Sequence, residues 1–395
     1  MNKFFIFTGG FLFLILKLQF LFLFYLNFTD RHVKEIEAKV VTQYKKNNYY
    51  VLKLKNREVT FYTISRDELK NLLNDTVKIK IFTGNIAFLG FLTKFYATSY
   101  DLKLQPLSVP QLWIEKQHSD KSISNLFRAL FFGESIDYKT RISLSTLGLS
   151  HLFALSGLHL GFISVILFFL FSPFYMLFHK KFPYRNRYVD LGMFILTVEF
   201  LYLFYTGFPP SLIRAYFMEV IFFIFAFLFE DVLSVKVLFF TVLFGLLIFT
   251  FSILSIGFLL SVLGVYYIYL FLRYFKISWK NTPLLSVYMF LMMFVWSHYF
   301  FGQFNNYQFF SPVFNLLFPF FYVIEILLHV FGIGGLFDGL IKDLLDLGKN
   351  FYYVKFELPV LLIFALLSIL AYKKKPAFYG INLLAFILVF SSVRI

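Results

Sequence analysis

Long apolar runs dominate the hydrophobic pattern of the chain, and the first begins almost at its start. Phe4 to Phe28 is mainly apolar, with Lys17, Gln19 and Asn27 as its strongly polar members. The run is longer than the core of a secretory signal peptide and has no small-residue cleavage site. It therefore predicts a retained first transmembrane helix within residues 1–29.

Residues 30–105 show short segments in which apolar and polar positions alternate. This alternation predicts strands at Glu35–Gln43, Tyr49–Lys55, Glu58–Ile64, Thr76–Phe82 and a less regular Phe91–Ala97. A short amphipathic helix is predicted at Arg66–Leu73, between the third and fourth strands. Three strands, a helix and two strands is the order of an OB-fold, although other small β domains share it. We expect a small OB-like β-barrel after the first helix.

Basic and aromatic side chains are interleaved in this β domain, which contains 14 Lys and Arg and only 8 Asp and Glu. This combination suits attraction of a nucleic acid backbone together with base stacking. The residues that are candidates for contacting a nucleic acid are Lys45, Lys46, Tyr49, Tyr50 and Lys53. The alternative is that the aromatic rings fill the barrel core and the lysines only solvate it.

Apolar segments return after residues 106–150, which are predicted to be an amphipathic connecting segment. Within it, Ile123–Phe132 carries Arg128 and is expected along the membrane surface or against the β domain. The later apolar segments are Leu152–Phe178, Tyr188–Thr206, Leu212–Phe229, Val235–Phe251, Ile253–Leu272, Leu284–Phe301, Phe309–Phe331, Leu358–Ala371 and Ile381–Phe390. They predict a polytopic α-helical membrane protein with about eight to ten transmembrane helices.

The basic loops orient this bundle. His179–Tyr188 and Arg273–Lys280 are rich in Lys and Arg, and placing them in the cytoplasm leaves the β domain extracytoplasmic. Simple alternation would then place Lys373–Lys375 outside. We therefore expect a re-entrant segment, such as Leu336–Leu347 or part of Phe309–Phe331.

Composition agrees with a membrane protein, since 59% of the residues are apolar and only 15% are charged. The 37 basic against 22 acidic residues give a net charge of +15, much of which the positive-inside rule explains. The chain has no cysteine, which excludes thiol chemistry, disulfides and cysteine-ligated metals.

The stretch from Leu147 to Ile163 contains several polar residues within an apolar part of the chain. The polar and small residues of this stretch include Ser150, His151, Ser156, Gly157, His159 and Gly161. Polar groups at membrane depth are costly and favour a functional interpretation. The alternative is a packing face, because Gly157 and Gly161 form a Gly-x-x-x-Gly pair.

Few other polar residues lie in the apolar segments. They are Glu199, Arg214, Glu219, His298, Asn315, Glu325 and His329. Pro312, Asn315 and Pro319 in one apolar segment predict a broken helix facing protein or water. Arg214 is interpreted either as a cation facing an anionic substrate or as an ion-pair partner of Glu199 or Glu219.

The stretch His151–Gly161 resembles the signature of the ComEC family, the inner-membrane DNA channels of natural transformation. Three shorter stretches match in the same order: Gly207–Ala215, Gly257–Gly264 and Ser311–Pro319. The resemblance covers about residues 1–335. It implies a transmembrane channel domain at 151–335, followed by an amphipathic segment and C-terminal helices at 336–395.

This resemblance implies transport of single-stranded DNA across the bacterial cytoplasmic membrane. It also implies an extracytoplasmic DNA receptor and a cytoplasmic helicase or motor as partners, and leaves a homo-oligomer open. Longer family members add a metallo-β-lactamase-like domain, whose His-x-His-x-Asp-His run has no match here. We therefore expect no catalytic residue, metal or cofactor, and a separate nuclease for the other strand.

The resemblance also suggests which residues line or shape the DNA path. The pore candidates are His151, Ser156, Gly157, His159, Arg214 and Asn315, and the candidates for helix packing or breaks are Gly161, Gly207, Gly257, Pro312 and Pro319.

Two other functions remain open from the residues alone. Ser156 and His159 are three apart and could form the nucleophile and base of an intramembrane serine hydrolase. Arg214 and broken helices would also suit a secondary transporter of a small anion, which would predict an internal repeat.

Overall fold

The computed structural model describes residues 18–19, 21–47, 49–56, 59–66, 72–73, 75–104, 107–134, 136–206, 210–228, 238, 242, 256–276, 278 and 280–393. More than half of the predicted first helix Phe4–Phe28, most of the predicted helix Arg66–Leu73, most of the predicted segment Val235–Phe251, and Gly207 lie outside these residues. Chain packing separates two compact units, one built around the N-terminal strands and one around the later helices.

The first unit begins with a helix at residues 21–29, here α1. The strands follow as β1 (Val33–Lys46), β2 (Tyr49–Lys55), β3 (Thr60–Ser65), β4 (Thr76–Phe82), β5 (Phe95–Tyr96) and β6 (Ser99–Leu104), with short helices α2 (Phe88–Leu92) and α3 (Val109–Glu115). Every second residue of β4 is buried, as the alternating sequence predicts. The unit is therefore a small β domain that follows a helix.

One bent strand closes this sheet. The strand order is β5-β3-β2-β1-β4-β6, with β5 parallel to β3 and β6 antiparallel to β4. Since β5 and β6 are successive parts of one stretch of chain, the two ends of the order meet. Thr63 Oγ1 and Ser99 Oγ lie 2.5 Å apart across this closure.

The fifth predicted strand, Phe91–Ala97, was wrong in its bounds. Its first residues belong to α2, whose Phe91 packs 5.1 Å from the ring of Phe28 at the end of α1. Aromatic packing against α1 thus overrides local β propensity, and pairing resumes only at Phe95.

The second unit is helical. Its helices are α4 (Lys121–Phe132), α5 (Tyr138–Thr146), α6 (Ser150–Phe153), α7 (Gly157–His179), α8 (Arg187–Tyr205), α9 (Pro210–Leu228), α10 (Ile256–Tyr274), α11 (Thr282–Phe300), α12 (Ser311–Val330), α13 (Asp338–Leu347), α14 (Leu358–Lys373) and α15 (Lys375–Ser391). Short 3₁₀ turns precede α12 and α13, and β7 (Gln303–Phe304) pairs with β8 (Tyr352–Tyr353). Five of the described helical segments are long and apolar enough to cross a membrane. The chain is thus a polytopic membrane protein with an N-terminal β domain.

Helix α4 does not lie on a surface. Residues Ile123 to Leu130 are all buried, including Arg128, which is 2% exposed. Its amphipathic sequence suggested a surface position, but Phe127 and Phe131 pack against the ring of His329 inside the unit. The expectation that this helix lies along the membrane surface was therefore wrong.

The basic loops share one end of the helical unit. Tyr274 at the end of α10 donates a hydrogen bond to the carbonyl of Ala371 at 2.5 Å, and Arg273 lies over the Tyr372 ring at 4.4 Å. Lys373–Lys375 therefore lie beside the basic loop that follows α10. The starts of α9 and α10 meet at the opposite end, where Gly257 lies beside Arg214.

The chain doubles back after α11. Phe304 packs on Phe294 and Phe309 on Phe290, and Ser286 Oγ donates to the Pro312 carbonyl at 2.8 Å. Residues 303–310, named here the return segment, thus run along α11 toward its start before α12 crosses again. Because the chain returns toward the start of α11 before α12 begins, the end of α14 and Lys373–Lys375 lie at the same end of the unit as the other basic loops.

Helix α12 is continuous, so the predicted break between Pro312 and Pro319 was wrong. Pro312 lies in the first turn, where its missing N–H costs no helical hydrogen bond, and Pro319 lies inside the helix. The irregular backbone precedes this helix and lies in the return segment.

Candidate functional site

The central motif forms the start of α7. Ala154, Leu155 and Ser156 separate α6 from α7, and Ser156 is the N-cap with extended backbone. His159 Nδ1 lies 3.2 Å from both the backbone N and Oγ of Ser156. A capping box uses this spacing, with histidine here in place of glutamate. The Ser-x-x-His pair therefore begins the helix.

His151 connects this motif to α12. Its Nε2 lies 2.9 Å from Asn315 Oδ1, and an amide oxygen only accepts, so Nε2 is the donor. The His151 side chain is exposed on the protein surface. Two predicted pore residues thus form one hydrogen-bonded pair.

Gly148 brings the return segment close to this pair. Its φ is +71°, and an added Cβ would lie 3.0 Å from Gln308 Cγ and 3.4 Å from Ser311 Cβ. Both the positive φ and the close approach favour glycine. Sequence reasoning missed Gln308, which lies in this irregular stretch and matches no motif.

Three helices begin close together around Arg214. A Cβ on Gly157, the first residue of α7, would lie 3.4 Å from Ala215 Cβ, and one on Gly257, near the start of α10, 3.6 Å from Arg214 Nη2. The Arg214 guanidinium lies over the Phe258 ring at 5.8 Å. Each helix start carries a partial positive charge. Arg214 and the starts of α7, α9 and α10 therefore form an electropositive group, named here the Arg214 cluster.

A carboxyl pair from α8 and α9 lies further along α7. Ser164 Oγ is 2.5 Å from both Glu199 Oε1 and Glu219 Oε1. One hydroxyl hydrogen can satisfy only one carboxylate, so the second contact requires a protonated carboxyl group. The sequence singled out both glutamates at membrane depth but gave no signal for Ser164.

The remaining predicted positions are less closely connected. A Cβ added at Gly161 would meet nothing within 4 Å among the described residues, so the expected Gly-x-x-x-Gly packing holds for Gly157 alone. Gly207 lies outside the described residues. Pro312 and Pro319 shape α12 as stated above.

The five β-domain candidates divide between two faces of the sheet. Lys46 pairs with Tyr49, and Lys45 with Tyr50, across the β1–β2 hairpin. Since neighbouring residues of a strand point to opposite faces, Lys46, Tyr49 and Lys53 share one face. Lys45 and Tyr50 lie on the other face, where Lys45 Nζ is 5.6 Å from the Tyr50 ring centroid.

Comparison with known proteins places the chain in a family. The family model described as "Competence protein" matches residues 130–392, which is more than half of the chain. No curated protein and no solved structure matches it. The matched region holds the motif, the Arg214 cluster and the return segment. The chain therefore belongs to the competence protein family, the ComEC-type multi-pass proteins of the bacterial inner membrane that act in DNA uptake.

Proposed function

We propose that the chain conducts single-stranded DNA across the cytoplasmic membrane and that the Arg214 cluster attracts its phosphates. The observation that supports this most directly is the meeting of three helix starts around Arg214. Helix N-termini and arginine both favour phosphate oxygens, without regard to base sequence.

A path for a polyanion must attract each phosphate weakly enough to release it. The Arg214 cluster offers one side-chain cation together with partial charges. From Gly157, Ser164 lies about 10 Å further along α7, at 1.5 Å per residue. The carboxyl pair there opposes tight binding of phosphate, and its shared proton limits the repulsion.

The return segment and the His151–Asn315 pair shape this path in our proposal. Irregular backbone is tolerated at membrane depth where it is covered by protein or lines water. Gln308 and Asn315 bring polar side chains to that region. Ser156, Gly157 and His159 then fix where α7 begins.

The β domain is proposed as an extracytoplasmic OB-like module that receives the strand. Its strand order supports this proposal, because the last stretch of strand lies beside both β3 and β4, as it does in an OB-type barrel. An external DNA receptor, a cytoplasmic motor and a separate nuclease complete the proposed system.

Two alternatives make different predictions. Ser156 and His159 could act in hydrolysis, but the capping geometry already engages His159 Nδ1 with the Ser156 backbone N–H. A small-anion transporter would use the same Arg214 cluster. Phosphate uptake that depends on Arg214 would favour that transporter.

The test is uptake of labelled DNA into the cytoplasm by the parent strain, a deletion strain and strains with Arg214→Gln or Arg214→Lys. We expect the deletion to leave DNA outside, Arg214→Gln to reduce uptake roughly tenfold or more, and Arg214→Lys to retain part of it. Arg185→Gln, an exposed arginine in the basic loop between α7 and α8, is the matched control. Normal uptake in the deletion strain would refute the proposal.

A further inference from the structure

A second polar cluster lies away from the proposed DNA path, where the segment before α4 meets the end of α12 and the start of α13. His118 Nδ1 lies 2.8 Å from Asp338 Oδ1, and His118 Nε2 lies 3.0 Å from His329 Nε2. His329 Nδ1 lies 2.7 Å from the carbonyl oxygen of Glu325. The four residues form a continuous chain of contacts, named here the histidine chain.

These contacts need more protons than two neutral imidazoles contain. The Glu325 carbonyl and an ionised Asp338 only accept, so His329 Nδ1 and His118 Nδ1 must both donate. The contact between the two Nε2 atoms needs a third hydrogen. Two neutral imidazoles have two N–H groups in total, so the arrangement is complete only with one additional proton.

The surroundings suit one positive charge. Asp338 of α13 faces His118, and the Glu325 carboxylate of α12 lies 3.3 Å from His329 Nδ1. Glu325 is 0% exposed, and its two carboxylate oxygens accept no hydrogen bond among the described residues. From α4, Phe127 stacks on His118 at 4.6 Å, and the charged residue of that buried face is Arg128.

One end of the histidine chain is open to water. The Asp338 side chain is 14% exposed and lines a surface depression of about 360 Å³ together with Ser119 and Leu336. The His118 side chain beside it is 0% exposed. A proton can therefore reach the buried imidazoles from this side by way of Asp338.

We propose that His118 and His329 together bind a single proton, taken from water over Asp338 and held between the carboxylates of Asp338 and Glu325. No other bond forms or breaks in this step. Burial lowers the pKa of His118, and the hydrogen bond to Asp338 raises it by a smaller amount. The additional proton is therefore bound on the acid side of neutrality.

Proton binding has a structural consequence for the segment before α4. Gln117 Nε2 donates to the His329 carbonyl at 3.1 Å, and Gly334 N donates to Gln117 Oε1 at 2.7 Å. The His118–His329 contact lies beside these two bonds. When the third proton is lost, the lone pairs of His118 Nε2 and His329 Nε2 face and repel each other. This repulsion weakens the attachment of the segment before α4 to α12.

The test is nitrogen NMR of the full chain, labelled with ¹⁵N-histidine and reconstituted in lipid nanodiscs. His118→Gln and His329→Gln assign two of the seven histidines. We expect both rings to change in one shared step between about pH 4 and pH 7, with three N–H groups on its acid side. Loss of either ring should abolish the charged state of the other.

Asp338→Asn should move this step to lower pH by about one unit or more, because an opposite charge is removed. Asp343→Asn, an exposed acid on the same helix, should leave the step unchanged. The proposal is overturned if the two rings titrate independently in the unsubstituted chain, or if both remain neutral throughout that pH range. This readout does not depend on DNA uptake.

Discussion

His151 and Asn315 are hydrogen-bonded at 2.9 Å although 164 residues separate them along the chain. The bond joins the motif before α7 to the first turns of α12. It brings together two positions that the sequence could only place in separate apolar segments.

This pair predicts a shared effect of mutation. His151→Ala and Asn315→Ala should each lower DNA uptake, and the double variant should be little worse than either, because one contact is lost in all three. A hydrogen bond of this kind contributes about 0.5–1.5 kcal/mol. Uptake at matched protein levels measures the effect, with His179→Ala as control; fully additive losses would contradict the pairing.

Gly148 and Gly161 form a matched pair of glycine positions. Gly148→Ala should lower the free energy of unfolding by about 1–2 kcal/mol, because it strains a left-handed backbone and crowds Gln308. Gly161→Ala meets open space within α7 and should be neutral or stabilising by up to about 1 kcal/mol. Unfolding in detergent measures both, and equal losses would contradict this account.

Gly257 predicts a size limit beside Arg214. Gly257→Ala should leave uptake near normal, since the new Cβ would lie 3.6 Å from Arg214 Nη2, an ordinary contact. Gly257→Leu should displace the guanidinium and lower uptake about as far as Arg214→Gln does. Protein amount in the membrane must be compared first, and normal uptake by the leucine variant would exclude a role for this contact.

The shared position of the basic loops predicts their labelling. The chain has no cysteine, so Lys180→Cys, Lys280→Cys and Lys374→Cys each create a single thiol. All three should react from the cytoplasmic side only. Lys349→Cys should react from the other side, because Asn350 accepts a hydrogen bond from Asn305, which follows the far end of α11. Labelling of position 374 from outside would contradict the reversal at the return segment.

The β domain predicts a difference between its two faces. The double variant Lys46→Glu/Lys53→Glu replaces two positive charges on one face by negative charges. Lys45→Glu does the same once on the other face. If single-stranded DNA lies along the face of Lys46 and Lys53, the double variant should weaken DNA binding. It should also reduce the salt dependence of that binding by more per substituted residue than Lys45→Glu does. Full-length protein in nanodiscs is titrated at several salt concentrations, and equal effects per residue would contradict the assignment.

Sequence patterns predicted much of this molecule because its strongest signals are local. The strands Tyr49–Lys55 and Thr76–Phe82 have the predicted bounds, and α8 and α11 begin within two residues of theirs. Apolar length and alternation alone determine such elements. The family resemblance, drawn from the motif at His151–Gly161, is confirmed by the family match.

The relationships that sequence did not predict depend on packing between distant segments. Ser164 is a candidate site residue only because helix packing brings Glu199 and Glu219 to it. His118 is one only because His329 of α12 and Asp338 of α13 lie beside it. The burial of α4 reversed an amphipathic pattern that is usual for surface helices. Lys373–Lys375 lie beside the other basic loops because the chain reverses at the return segment. The apolar runs did not predict where this reversal occurs.

The bent strand of the β domain also limits how this domain can meet other polypeptides. Because β5 pairs with β3 at Phe61 and Tyr62 and β6 pairs with β4 between Val77 and Ile81, part of the outer edges of β3 and β4 is covered. Unpaired rows of backbone N–H and C=O groups recruit foreign strands and seed aggregation. A foreign strand can therefore pair at fewer positions along β3 and β4, and a protein partner that meets these covered edges must recognise side chains and loops there.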